Sequence, residues 1–140
     1  MNTPVYLVAC VAQKLPNAAP AADLYQSDWF RKARAYVELQ GAPWFILSAL
    51  HGVVAPDEVI APYDHTLLVQ TARERRLWGE LVTTQLAARI GATCPIVFLA
   101  GRLYREPLAA WAGDRAAVPM QGLGIGQQKA WLARAVARAA

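Results

Sequence analysis

Hydrophobic positions along the chain fall into short blocks separated by amphipathic stretches. Residues 5–10 (VYLVAC) form a continuous β-branched and apolar run between Pro4 and the polar pair Gln13-Lys14. That is the pattern of a strand buried on both faces. Trp44–Ser48 (WFILS) behind Pro43, and residues 95–100 (PIVFLA) before Gly101, repeat it. Between the first two runs, Trp29, Phe30, Ala33, Tyr36 and Val37 recur at helical spacing. Ser27 or Asp28 can cap that helix and Gly41 stops it. Thr71 opens a second helix, with Leu77, Leu81, Leu86 and Ile90 predicted on its apolar face and Gly91 at its end. A short amphipathic segment covers 102–111, and 116–119 reads as a short fourth strand. Gly122-Leu-Gly124-Ile-Gly126 then leads into a last helix over 127–138. Residues 15–22, rich in Pro and Ala, read as a loop, as do residues 49–68, which lack a helical period. A loop as long as the second is unusual in a small domain and is commonly functional.

Apolar strands alternating with amphipathic helices predict a single α/β domain over 1–140. The expected architecture is a three-layer Rossmann-like sandwich with a short, mostly parallel sheet of about four strands. Ligands in such sheets sit beyond the carboxyl ends of the strands. Those ends carry residues 10–14, 48–64 and 101–104, so the polar residues are expected to converge on one edge. No internal repeat, low-complexity tract or domain boundary interrupts the pattern.

Composition narrows the picture. With 140 residues, 56% hydrophobic and 17% charged, the chain can bury a substantial core and is not of the disordered class. No apolar run approaches the roughly 18 residues of a membrane span. No basic segment precedes the first apolar run, so no signal peptide, a cytoplasmic location and no membrane partner are expected. Cys10 and Cys94 make neither a disulfide scaffold nor a CxxC zinc motif and read as buried, reduced thiols. Eleven Arg and three Lys against ten acids give a net charge of +4. That balance favours an anionic partner, although solvated helix faces explain runs such as Arg73-x-Arg75-Arg76 equally well.

Chemistry-bearing residues concentrate in residues 48–65, which hold both histidines and three of the ten acids. His51 directly follows a strand, and Gly52 lets the backbone turn tightly beside it. A neutral imidazole there could stabilise developing charge while a carboxylate, Glu58 or Asp64, activates water. Lys14, just past the first strand, can meet a phosphate or carboxylate. Tyr25 and Tyr63 offer stacking faces, Ser27 a donor, and Arg102 after Gly101 an anion clamp with Tyr104 nearby. The glycine run around Gly124, opening a helix, offers backbone N–H groups to an anion but is not the GxGxxG dinucleotide fingerprint. His51, Asp57, Asp64 and His65 could also be read as metal ligands, but their spacing fits no standard site and no metal or cofactor is expected.

Four motifs together resemble an uncharacterised family of small bacterial and phage domains. They are Leu7-Val8-x-Cys10 followed by Lys14, Leu24-Tyr25-x-Ser27-x-x-Phe30, Ile46-Leu47-Ser48-Ala49-x-His51-Gly52, and Pro62-Tyr63-Asp64. The resemblance spans essentially the whole chain. More distantly, Leu47-Ser48-x-Leu50-x-Gly52-Val53 through Pro56, Glu58 and Pro62-Tyr63 is similar to a stretch of the YaaA peroxide-stress proteins and of the archaeosine synthase core domain. This chain carries His51 where the YaaA pattern has an aromatic. The resemblance implies a theme of nucleobases, nucleosides or damaged nucleic acid rather than one settled reaction, and points to Ser48, His51, Gly52, Glu58, Tyr63 and Asp64.

The expected function is therefore an enzyme acting on a nucleobase, nucleoside or nucleotide, free or within DNA or RNA, by cleaving or exchanging an N-glycosidic bond. His51, Asp64 and Glu58 are the expected catalytic groups. Cys10, Lys14, Tyr25, Ser27, Ser48, Gly52, Tyr63, Gly101, Arg102 and Gly124 are expected to bind substrate. The alternative is a non-catalytic nucleotide- or nucleic-acid-binding module that uses the same loops for recognition.

Overall fold

The computed structural model describes residues 3–139. Its centre is a five-stranded sheet built from β1 (Val5–Ala9), β3 (Trp44–Ser48), β4 (Gly52–Val54), β6 (Ile96–Leu99) and β7 (Ala116–Ala117) in the order β4-β3-β1-β6-β7. β1 pairs in parallel with both β3 and β6, and β6 with β7. Only β4 runs antiparallel, folding back from β3 through the turn at residues 49–51. The mostly parallel α/β sheet is as expected, with five strands rather than about four.

Alternate residues of the strands feed two cores. Tyr6, Val8, Ile46 and Leu99 pack under α2 (Asp28–Leu39) and α6 (Ile125–Ala139). Val5, Leu7, Leu47 and Phe98 pack under α3 (Ala72–Arg89) and the segment containing α4 (Arg102–Arg105) and α5 (Ala109–Ala112). Burial on both faces is why the strand sequences are continuous apolar runs rather than alternating ones.

Three expectations are corrected. Residues 49–68 are not a single loop: they contain β4, β5 (Val59–Ile60) and a 3-10 turn at Leu67–Val69. β5 pairs with β2 (Ala19–Pro20), which lies within residues 15–22, expected to be a loop, and the short α1 (Ala21–Leu24) begins at that segment's end. The buried stripe of α3 also differs from the leucine pattern. Leu77 and Leu81 are 53% and 44% exposed, whereas Trp78, Gly79, Val82 and Leu86 face the core. A Cβ at Gly79 would lie 2.7 Å from that of Pro107. The missing side chain thus lets α3 close onto the turn at Glu106–Leu108 and sets which face turns inward.

The connection from β1 through α2 leads to one side of β1, to β3, and the connection through α3 crosses back to β6 on the other. β1 and β6 are therefore adjacent strands whose connections depart in opposite directions. This is the switch point where a parallel sheet opens a crevice at its carboxyl edge.

Candidate pocket at the carboxyl ends of β1 and β6

A pocket of about 840 Å³ occupies that crevice, within the size range of small-molecule and cofactor sites. Four segments wall it: residues 9–14 after β1, the start of α2, the start of α4, and the first turn of α6. Asp64, His65 and Thr66 close a further side.

Lys14 is held in place by local backbone pairing. Leu15 N donates to Leu24 O at 2.8 Å and Gln26 N to Gln13 O at 2.9 Å, making an antiparallel bridge between Lys14 and Tyr25. The Lys14 ammonium lies 4.4 Å from the centre of the Tyr63 ring and 5.7 Å from that of Tyr25, a favourable cation–π geometry. It donates to Ala12 O at 3.3 Å, and no carboxylate among the described residues pairs with it.

Beneath Lys14 runs a hydroxyl chain in which Ser48 and Tyr25 are buried and Tyr63 half-buried. Ser48 Oγ donates to Tyr63 Oη at 2.7 Å, and the Tyr63 and Tyr25 hydroxyls share a 2.5 Å hydrogen bond. Ser48, fully buried at the end of β3, also accepts from Leu50 N and His51 N, so one side chain caps the turn into β4 and anchors the chain. Burial pushes the Tyr25 phenol up to about 12 and raises that of Tyr63 as well, with Cys10 adding to the effect. Tyr104 is likewise raised, by burial first and then by Cys10, whose Sγ lies 3.4 Å from its hydroxyl. All three phenols therefore stay protonated near neutrality.

Of the residues singled out from sequence, Cys10, Lys14, Ser27, Asp64, His65, Gly101, Arg102 and Tyr104 line this one pocket. Ser27 also caps α2, its Oγ accepting from Phe30 N at 3.0 Å. Tyr25, Tyr63 and Ser48 form the hydroxyl chain below. Tyr25 is fully buried, and neither tyrosine ring lines the pocket. His51 and Glu58 lie outside the lining. His51 is exposed at the β3–β4 turn with its ring edge-on to Tyr63 at 5.4 Å. Glu58 is exposed too; its carboxylate accepts from Ala55 N at 3.3 Å.

Gly52 is structural. Its φ is +77°, and a Cβ there would collide with Gln85 Oε1. That amide clamps the turn by accepting from Val53 N at 2.7 Å and donating to His51 O at 3.1 Å. Gly124 is exposed ahead of α6 and outside the lining, its N–H given to Gln127 Oε1 at 2.9 Å.

Sequence reading missed several lining residues, among them Trp29, Gln128 and Lys129. Trp29 carries the helical-core pattern, and its indole N–H donates to Gln128 Oε1 at 2.8 Å, fixing α2 against α6 at the pocket. Asp28 at the start of α2 pairs with Lys32 (3.4 Å) and Lys129 (3.6 Å). Desolvation opposes them, but the two ammonium groups hold its carboxyl below the ordinary aspartate value. Asp64 has no hydrogen-bond or ion-pair partner among the described residues. None of their His, Cys, Asp and Glu side chains group in threes that could hold a metal ion, so His51, Asp57, Asp64 and His65 do not converge as ligands. No described helix is long and apolar enough to cross a membrane.

Comparison with known proteins places residues 5–134 under the model of a family of unknown function, DUF6884. The match covers nearly the whole domain, and the chain belongs to that family. No curated protein matches it.

Proposed function

We propose that this DUF6884 member binds a nucleobase-bearing ligand in the β1–β6 pocket and cleaves or exchanges its N-glycosidic bond. The observation that carries the reading is the pairing, in one pocket, of an unneutralised cation with an unpartnered carboxylate. Lys14 supplies the first and Asp64 the second, beside aromatic walls from Trp29 and Tyr104. Such a ligand needs an aromatic surface for the base, a cation for any phosphate, and a carboxylate near the sugar. In hydrolysis, water adds to the anomeric carbon, the C–N bond breaks, and the base departs with a proton. Asp64 would take the proton from water or stabilise the electron-poor sugar. The resemblance of the segment around Ser48 and Tyr63 to the archaeosine synthase core domain, which works on a modified base in tRNA, supports the same theme.

A second reading, binding without turnover, is favoured by one observation: of the three expected catalytic groups only Asp64 lines the pocket. Chromatographic detection of free base, after incubation with a panel of nucleosides and nucleotides, separates the two. Base release lost in Asp64→Asn supports catalysis. Ligand binding without release, kept in Asp64→Asn, supports the binding module. Absence of both contradicts the proposal.

A further inference from the structure

Beside the main pocket lies a smaller cavity of about 170 Å³ at the carboxyl ends of β6 and β7. The two share Gly101, Arg102 and Gln128 as a common wall. Their electrostatics differ. Asp28 and Asp64 line the large pocket, whereas no acidic side chain lines the small one. Its charged groups are two guanidiniums, Arg102 and Arg105, accompanied by Gln121 and Gln128.

The positions of these groups are fixed to different degrees. Arg105 Nε donates to Ala100 O at 3.0 Å, at the end of β6. That single bond orients the guanidinium plane and leaves its two terminal nitrogens without a partner among the described residues. Arg102 is 82% exposed on its side chain and, among the described residues, is tied only to Glu106, an exposed pair that contributes little. It can therefore swing over either cavity. Gln128 is held from both sides, accepting from Trp29 Nε1 and donating to Leu123 O at 2.9 Å.

Across the cavity, Gln121 N donates to Val118 O and Leu123 N to Met120 O, each at 3.1 Å. Gly122 sits between them at φ +82°, and its own N–H has no partner among the described residues. Buried Phe98 and Met120 contribute apolar lining. Two guanidiniums and a backbone N–H without a partner among the described residues, around a cavity lined by no acid, supply the donors a tetrahedral oxyanion takes, since a guanidinium fork can bind two phosphate oxygens at once.

We propose that this cavity is a phosphate subsite, so that the ligand of the main pocket is a phosphorylated nucleoside, with its base and sugar in the large cavity and its phosphate against Arg105 and Arg102. The inference deepens the reading of the main pocket and rests on it for the nucleoside half alone. A free nucleotide and a nucleic-acid backbone present the same oxygens, so the phosphate chemistry is shared between the two sources.

The test is an NMR titration of the full chain with inorganic phosphate at constant ionic strength. The amides of Gly101, Gly122 and Leu123 and the Nε–H of Arg105 should shift saturably. Arg105→Gln should weaken that binding by about tenfold or more, the scale of a lost charge-assisted hydrogen bond. If Arg105→Gln proves unfolded by its amide spectrum, Arg102→Gln, at an exposed position, takes its place with the same expected direction. Shifts confined to Lys14 and Lys129, shifts that never saturate, or unchanged affinity in the variants would overturn the subsite.

Adenosine and guanosine, their 5′-monophosphates and their dinucleoside monophosphates form the second arm. A monoester that outbinds its nucleoside about tenfold, with the gain lost in the arginine variant, supports the subsite with a free nucleotide as source. An equal gain from the diester supports it with a nucleic-acid backbone as source. Nucleosides that bind with no gain from phosphate remove the subsite and leave the main-pocket reading standing. Phosphate binding here without any nucleoside binding does the reverse.

Discussion

The segment 48–65 and the β1–β6 pocket are neighbours with opposite characters. The first concentrates the histidines and acids in sequence, yet from Ser48 to Tyr63 its side chains mostly serve the fold, and Asp64 and His65 at its end line the pocket. Ser48 satisfies two backbone N–H groups and Tyr63, Gly52 admits Gln85, and Glu58 accepts from the backbone of Ala55. The second is assembled from short contributions scattered from Ala9 to Lys129. Its lining leaves an ammonium and a carboxylate free. Density of polar residues along a chain is therefore a poorer guide than the place where strand ends meet. A polar side chain next to a tight turn is usually consumed by the turn's own unsatisfied backbone groups.

Six substitutions, taken in four tests, sharpen that contrast. The largest expected effect is on turnover: Asp64→Asn should lower base release by about 10²–10⁴-fold, the usual contribution of a positioned acid or base. Glu58→Gln and His51→Ala should each stay within about threefold of the parent, being outside the pocket; a reversed ranking would move the chemistry to the β3–β4 turn. Next comes Gly52→Ala, which should destabilise the fold by at least about 1–3 kcal/mol in urea denaturation, from positive-φ strain with the Gln85 collision added. A neutral outcome would mean the Gln85 clamp is not formed.

Ser48→Ala should cost about 1–3 kcal/mol by leaving Leu50 N, His51 N and the Tyr63 hydroxyl short of a partner. The smallest effect is in alkali. The Tyr25 phenol titrates at about 12 in the fold because burial disfavours its anion, against roughly 10 when unfolded. Its contribution is fully present below pH 10 and is lost as pH rises from about 10 to 12. Thermal melts of Tyr25→Phe should therefore fall less steeply than those of the parent across that window, and parallel curves would show that Tyr25 is not the titrating group.

How much could be read from sequence follows the same division. β1, β3 and β6 were legible because strands buried on both faces are uninterrupted apolar runs. The Ser27 cap was legible because its signal is local. β4 was not: three residues returning along the sheet edge carry no period of their own. On α3, leucines outweighed Trp78 and Val82 in the pattern, while the packing was decided by Gly79 against Pro107, a contact between segments nearly thirty residues apart. The convergence of Cys10, Lys14, Gly101 and Arg102 followed from the parallel-sheet rule alone. Trp29, Gln128 and Lys129 needed the docking of α2 on α6, which no local pattern encodes.

Which side chains a ligand needs tells most directly where it binds. The decisive measurement is a thermal-shift screen of nucleobases, nucleosides and nucleotides against the parent, Lys14→Met and His51→Ala proteins. A stabilising compound whose effect survives in His51→Ala and disappears in Lys14→Met is the predicted result and places the ligand in the β1–β6 pocket. A shift that survives in Lys14→Met but is lost in His51→Ala, or no shift from any compound, would contradict it.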